Sequence, residues 1–264
     1  MKQSDYPVEV GSMLFTMVDP HRGHEKAYNR WYERDHFYAG CLVAPWLFSG
    51  GRWVSTREEK ALRFPAESPI AQPRVSAGSY VAIYWIHAGH HDEYQAWGNE
   101  QAHWLYRNGR GFAERTHVHT LLYTVDWVHY RDDDPVPLPL ALDHGFEGLA
   151  TVALLRAPGV EQARLDDLLQ GDLLPRTLAG SPIASCSTWS PIPQGQAPMN
   201  IPKVEDTDRL DLQLLFCDRP ASDDWERVRE YARRIEESGL ARVAFASPWR
   251  PTVVGTDRWV DRLW

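Results

Sequence analysis

The chain has 264 residues and a mass of 30.3 kDa, room for one large domain or two small ones. Hydrophobic residues at 43%, charged at 24% and aromatics at 12% describe a soluble globular protein and exclude collagen-like, low-complexity and wholly disordered chains. Thirty-six acidic against 28 basic residues leave a net charge of -8, which repels a phosphate backbone and argues against a nucleic-acid partner.

Met1 to Val10 carries acids and a proline where a secretory signal needs a basic start and an apolar stretch. No run approaches the ~20 apolar residues of a membrane span, so the expectation is a cytoplasmic protein without a membrane partner. Cys41, Cys186 and Cys217 are too few and too scattered for a disulfide framework or a zinc motif.

In chain order, Val10 to Asp19 is a β-prone run stopped by Asp19-Pro20. His24 to Ala39 lacks glycine and proline, and its aromatics recur at helical spacing with Gly40 as the stop. Trp46 to Thr56 alternates and predicts a strand bent at Gly50-Gly51. The polar, proline-bearing stretch Arg57 to Ala77 predicts a long loop or arm. Ser79 to His87 is rich in β-branched and aromatic residues and predicts a strand. His91 to Asn108 returns to helical spacing, and Glu114 to Tyr130 predicts a long strand. Strand, helix, strand, strand, helix, strand is the split β-α-β order of a ferredoxin-like unit.

Asp132-Asp133-Asp134 followed by Pro135, Pro137 and Pro139 makes a stiff charged connector. After it the same order recurs: strand Gly148 to Leu155, helix Val160 to Leu174 broken at Pro175, strand Ala184 to Pro191, a second arm from Ser190 to Asp208, strand Leu210 to Cys217, helix Asp223 to Glu237 and strand Ala241 to Pro248. Met13 to Ala150, Trp53 to Trp189, Tyr84 to Leu215 and Tyr94 to Trp225 are separated by 137, 136, 131 and 131 residues. The fold class read from this is α+β, with two ferredoxin-like repeats forming an intramolecular dimeric α+β barrel. Residues 1–131 are the first repeat, 132–147 the linker and 148–264 the second, divergent repeat. Each four-stranded sheet has a face that its own helices leave uncovered, and pressing the two faces together predicts a central cavity for a small ligand.

Tyr28-Asn29-Arg30-Trp31-Tyr32-Glu33-Arg34-Asp35-His36-Phe37 resembles the first-helix signature of the EthD-like and related dimeric α+β-barrel proteins. Pro45 to Trp53 is similar to the second strand of that family, which leads into an Arg-bearing strand. The resemblance covers roughly residues 10 to 130. The superfamily holds cofactor-free cyclases, decarboxylases, dehydratases, lactone isomerases and monooxygenases together with haem-dependent relatives, so the fold does not choose the chemistry. What the resemblance implies is His36 as the working histidine, with Trp31 and Tyr32 as its pocket neighbours. Phe37-Tyr38 stands where many relatives have Leu-Pro, and no equivalent histidine occurs in the second half, so a single active centre is expected.

His24, Tyr28, Tyr32 and His36 are spaced i, i+4, i+8, i+12, one band of proton-transfer groups if the helix is straight. Asp35 could orient His36 only where the helix unwinds. The plainer alternative has Tyr28 and Tyr32 packed on the sheet and a cationic His36 capping the helix C-terminus. His87, His90 and His91 with Asp92 and Glu93 are the densest metal-capable run, but they lack the i, i+4 histidine pair of a zincin and sit at a helix start. His117 and His119 alternate with Val118 and are expected on one face of a strand, where they hold a metal, line a cavity or form a polar edge. The motifs for dinucleotides, nucleoside triphosphates and serine hydrolysis are all missing from the sequence.

The leading expectation is a cofactor-independent acid-base enzyme, a lyase, isomerase or cyclase, acting on a hydrophobic aromatic, polyketide-like or steroid-like small molecule. His36, Tyr32, Tyr28 and Asp35 would be catalytic, and Trp31, Trp85, Tyr84, His117 and His119 would bind substrate, with no cofactor and no metal. The alternatives are a small-molecule carrier or sensor, and a haem or metal protein. A homodimer is permitted but not required to cover the first sheet.

Overall fold

The computed structural model describes residues 7–193 and 202–264. Eight strands close into one antiparallel barrel in the order β1-β3-β2-β8-β5-β7-β6-β4. These are β1 Val10–Pro20, β2 Leu47–Val54, β3 Tyr80–His87, β4 Arg115–Tyr130, β5 Gly148–Arg156, β6 Ile183–Pro191, β7 Leu210–Cys217 and β8 Ala241–Pro251. The order β4-β1-β3-β2 recurs as β8-β5-β7-β6, and the two sets join where β2 meets β8 and β4 meets β6. The first seam is short: β2 and β8 pair only at Trp53 with Pro251 and Val54 with Arg250.

Helices cover the outside. α1 (Glu25–Trp31) continues without a break into a π-helical segment, Tyr32–Cys41, so the helix read from periodicity is real in extent but changes its winding at Tyr32. α2 (Arg57–Lys60) starts at a capping box in which Thr56 and Glu59 satisfy each other's backbone N–H groups. α3 is His91–Arg107 and α6 is Trp225–Glu237. The second-half helix expected to break at Pro175 is instead α4 (Gln162–Leu168), a π segment (Leu169–Leu173) and α5 (Leu174–Leu178). Pro175 sits in the first turn of α5, where no i-4 bond is needed from its nitrogen. None of the described helices is long and apolar enough to cross a membrane.

Alternation along the strands separates two layers. On β3, Val81, Ile83 and Trp85 point into the barrel, while Tyr80, Ala82 and Tyr84 point out beneath the helices. The interior corrects the expected central cavity, because it is filled with large rings. Trp85 lies flat on Trp189 at 5.0 Å and 16°, and Phe15, Tyr123, Phe216, Phe245 and Trp249 complete a dry core. The arm after β2 adds to it. Ile70, Ala71 and Ala77 join the barrel core, and Arg63 donates to the Ser247 hydroxyl and to the carbonyls of Val75, Ala77 and Gly78, with its guanidinium 4.7 Å from the Trp249 ring centre. That arm is therefore a plug rather than a free lid. The second arm, Ser190 to Asp208, lies partly outside the described residues.

Two strand irregularities differ from the sequence reading. The bend expected at Gly50-Gly51 falls at Phe48, between the pairs Leu47–Ile86 and Ser49–Trp85. A bulge at Val118, between Met17–His119 and Val18–His117, reverses the alternation of β4. The cost of opening the ring-filled interior is testable: Trp85→Ala or Trp189→Ala should lower unfolding free energy by about 3–5 kcal/mol in urea titrations. Val43→Ala, at a residue 57% exposed, should change it by no more than about 0.5 kcal/mol.

Candidate functional site

The outward layer of the first half is built around one buried cation. Arg52 on β2 donates from Nη1 to Asn29 Oδ1 at 2.6 Å and to Glu33 Oε1 at 3.3 Å. Its guanidinium lies 4.3, 4.6 and 5.5 Å from the ring centres of Tyr80, Tyr32 and Tyr28. Arg52 Nε and Nη2 are buried and have no hydrogen-bond partner. The other Glu33 oxygen, Oε2, accepts the Gly255 N–H at 2.9 Å.

Beside this pair is a cleft of about 320 Å³, at the place where β2 and β8 splay apart. Glu33 and Arg52 are part of its lining, and Phe37, Trp53, Phe146 and His144 supply aromatic wall. Gly50 and Gly51 let three side chains come close to β2. A Cβ on Gly50 would stand 3.0 Å from both Leu42 Cδ2 and Tyr84 Cδ1, and one on Gly51 would stand 3.1 Å from Leu142 Cδ2. Ser49 Oγ donates to Asp143 Oδ2 at 2.9 Å and ties the connector bearing His144 to β2.

The residues expected from sequence are distributed as follows. Tyr28 and Tyr32 are buried against the sheet, and Tyr32 OH pairs with Tyr84 OH at 2.8 Å. Burial pushes both phenols above the usual tyrosine range, Tyr32 further than Tyr28. The band of groups predicted from i, i+4 spacing runs from Tyr28 through Tyr32 to His36, and the π winding adds a neighbour five residues away on each side of His36. His36 stacks on Trp31 at 4.4 Å and meets Tyr32 edge-on at 5.2 Å. Its Nε2 lies 3.5 Å from Cys41 Sγ, and its Nδ1 is buried without a partner. Burial first, and the Arg115 guanidinium second, push the imidazole down to about 3, so it is neutral and not a cationic helix cap. Asp35 does not orient it. That carboxylate is held by Arg110, whose hydrogen bonds keep it below the usual range.

Trp31 donates from Nε1 to the Arg110 carbonyl at 2.9 Å and carries Arg115 over its ring at 4.6 Å. Trp85 and Tyr84 are adjacent on β3 and face opposite ways, Trp85 into the barrel core and Tyr84 into the outer layer, and neither lines the cleft. His117 and His119 were expected on one face and are not, because of the Val118 bulge. His119 Nε2 lies 2.6 Å from Tyr123 OH inside the barrel, and His117 Nδ1 lies 2.9 Å from Thr120 Oγ1 in the outer layer. Burial lowers both to about 4. His90 is stacked on Trp46 at 3.6 Å and His87 packs on Phe48, so that run is not a ligand set, and no group of three metal-capable side chains converges among the described residues.

The residues present do not fit a haem. His119, which is buried, and His36 and His117, which are half-buried, line none of the three described cavities, and the histidines that do line one, His103 and His144, sit at the surface. The 320 Å³ cleft is at the lower end of the range for small organic ligands and below what a porphyrin fills.

No family model and no curated protein sequence matches the chain. Solved structures do match in shape. An anthrone oxidase-like protein superposes with a TM-score of 0.53 at 9% identity, over 94% of this chain and 95% of that one. A chlorite dismutase variant from Candidatus Nitrospira defluvii, in complex with cyanide, gives 0.51 at 9% identity, over 97% and 95%. The fold is that of the dimeric α+β barrels. At such identities the likeness concerns the fold alone.

Arg52, Glu33 and His144 were absent from the residues chosen by sequence. Arg52 was visible as the arginine of the second-strand motif, whereas nothing local marked His144, which reaches the cleft only through the connector's path.

The neutral buried histidines set a sign for acid stability. Their unfolded-state pKa is near 6.5 and their folded values are near 3 to 4, so below pH 6.5 the unfolded chain takes up protons first and stability falls. His36→Leu should make the loss between pH 7 and 4.5 shallower by on the order of 2 kcal/mol, read from urea titrations at the two pH values.

Proposed function

We propose that the chain is a cofactor-independent acid-base enzyme of the lyase, isomerase or cyclase type, acting on a hydrophobic aromatic small molecule in the cleft between β2 and β8. The observation that carries this reading is Arg52: a buried guanidinium with two nitrogens lacking partners, on the lining of an apolar cleft. A group so placed suits an enolate or phenolate oxygen, since a preorganised cation in a dry site stabilises charge that grows in the transition state. Glu33 and Asn29 hold the guanidinium through Nη1 and leave Nε and Nη2 without a hydrogen-bond partner.

His144 is the acid-base group in this proposal. An imidazole can both take and give a proton, and its ring lies edge-on to Phe146 at 4.4 Å on the cleft wall. Phe37, Trp53 and Phe146 would flank a flat apolar ligand and exclude water. Tyr28, Tyr32 and His36 then act at one remove, as positioning residues: Tyr28 and Tyr32 press on the Arg52 guanidinium and His36 packs on Tyr32.

The proposal includes two ferredoxin-like repeats, residues 1–131 and 148–264, joined by 132–147, with one centre only. α1 and α4 start at Glu25 and Gln162, and the π segments start at Tyr32 and Leu169, both 137 residues apart. That shift sets Tyr28, Tyr32 and His36 against Leu165, Leu169 and Leu173, all three buried. Leucines supply the packing alone, so the polar set of the first half supports a chemical role there. Three free cysteines support a reducing, cytoplasmic setting.

The test is α-carbon hydrogen exchange in D₂O, followed by mass spectrometry, with 1-tetralone, 4-chromanone and anthrone under nitrogen as probes. The protein should accelerate exchange of at least one probe. Arg52→Met and His144→Gln should each lower that rate by ~100-fold or more, with far-UV circular dichroism unchanged. Exchange no faster than in buffer for all three, or equal rates in both variants, overturns the assignment; saturable binding without exchange would identify a carrier instead.

A further inference from the structure

α3 is poorly held by its own barrel. Of its seventeen residues only Tyr94 and Leu105 are buried, whereas α6, its counterpart in the second half, buries Trp225, Val228, Tyr231, Ala232 and Ile235 out of thirteen. A surface helix that keeps its place ordinarily buries a full apolar stripe. On α3 much of the aromatic surface faces away instead, with Trp104 43% exposed and Tyr106 45% exposed. An open groove of about 490 Å³ runs along this face, lined by Trp97, Glu100, Gln101, His103, Trp104 and Arg107.

At 100° per residue, Trp97, Glu100, Trp104 and Arg107 fall within a stripe about 80° wide, with Trp97 at its inner edge packed on Tyr94 and the other three turned away from the barrel. The stripe holds one acid and one base, seven residues apart, with Trp104 between them. Seven residues are almost two turns, about 10.5 Å along the axis. A second helix of the same sequence laid antiparallel on this stripe meets it with opposite charges aligned at both ends. When Trp104 of one copy is opposite His103 of the other, Glu100 is opposite Arg107, and Arg107 opposite Glu100. The stripe is therefore complementary to itself about a two-fold axis, which is the requirement of an isologous interface. A tryptophan at the centre with charged pairs at the rim is also the usual anatomy of such a contact.

We infer that the α3 face docks a second copy of this chain, antiparallel through α3, with the two Trp104 rings beside the two-fold axis and reciprocal Glu100–Arg107 pairs flanking them. The surface lies on a different element from the cleft, so the inference stands independently of the proposed chemistry.

Sedimentation equilibrium and light scattering on the full chain test it. The wild type should show a mass about twice 30.3 kDa, with a dimer dissociation constant in the micromolar range. Glu100→Arg and Arg107→Glu should each raise that constant at least ~10-fold, since like charges then face each other at both ends. The double variant Glu100→Arg/Arg107→Glu should return it to within about threefold of wild type, which a merely structural effect would not do. Trp104→Glu should be monomeric with unchanged circular dichroism, because the ring is exposed in the single chain. A wild type that stays monomeric at about 100 μM, or a dimer whose constant none of these variants moves, overturns the inference.

Discussion

The stack of Trp85 on Trp189 decides where this molecule can do chemistry. These two rings come from opposite halves of the barrel, β3 and β6, and meet at 5.0 Å in its centre. With Phe15, Phe216, Phe245 and Trp249 around them, and the Arg63 arm packed on Trp249, the interior is a packed core rather than a vessel. A closed barrel with no room inside can present a site only on its outer layers or at its seams. The β2–β8 seam, paired at two positions, is where the sheet opens, and the cleft is found there.

Burying Arg52 in that outer layer is costly, since moving an ion out of water carries a penalty of several kcal/mol even after relaxation. Glu33, Asn29 and three tyrosine faces offset it, each in a different way: a counter-charge, a neutral acceptor and the negative faces of aromatic rings. The second half solves the same packing problem with leucines at the corresponding helix positions and carries no such penalty. Stability alone does not select the polar solution, which leaves two guanidinium nitrogens buried without a hydrogen-bond partner.

Much of the architecture was legible because strand and helix periodicities are local properties. Tyr80 to His87 had to be a strand, and the repeated element order had to give two equivalent strand sets. What sits inside a barrel is not local. Alternation told that Trp85 faces one layer and Tyr84 the other, yet only the meeting of Trp85 with Trp189, 104 residues away, shows that the inner layer is filled. The pairing of His117 with His119 failed for a similar reason. A single extra residue in one strand inverts the faces beyond it, and Val118 carries no letter that announces a bulge. The neighbours of His36, Trp31 and Tyr32, were legible, but the winding of its helix was not: a π segment is uncommon, and a run of Tyr, Glu, Arg, Asp and His reads as ordinary α-helix.

The π segment also explains why the helix can serve the cleft at all. With i to i+5 spacing, Trp31, His36 and Cys41 follow one another along one side, the imidazole stacked on Trp31 with its Nε2 3.5 Å from Cys41 Sγ. The same winding places Glu33 beside Arg52 and Phe37 against Tyr84, on the side that lines the opening. A straight α-helix would carry Phe37 about a quarter of a turn from that wall. The neutral, ring-packed His36 is thus consistent with a scaffold for the cation at the cleft, while proton transfer needs a histidine that water and ligand can reach.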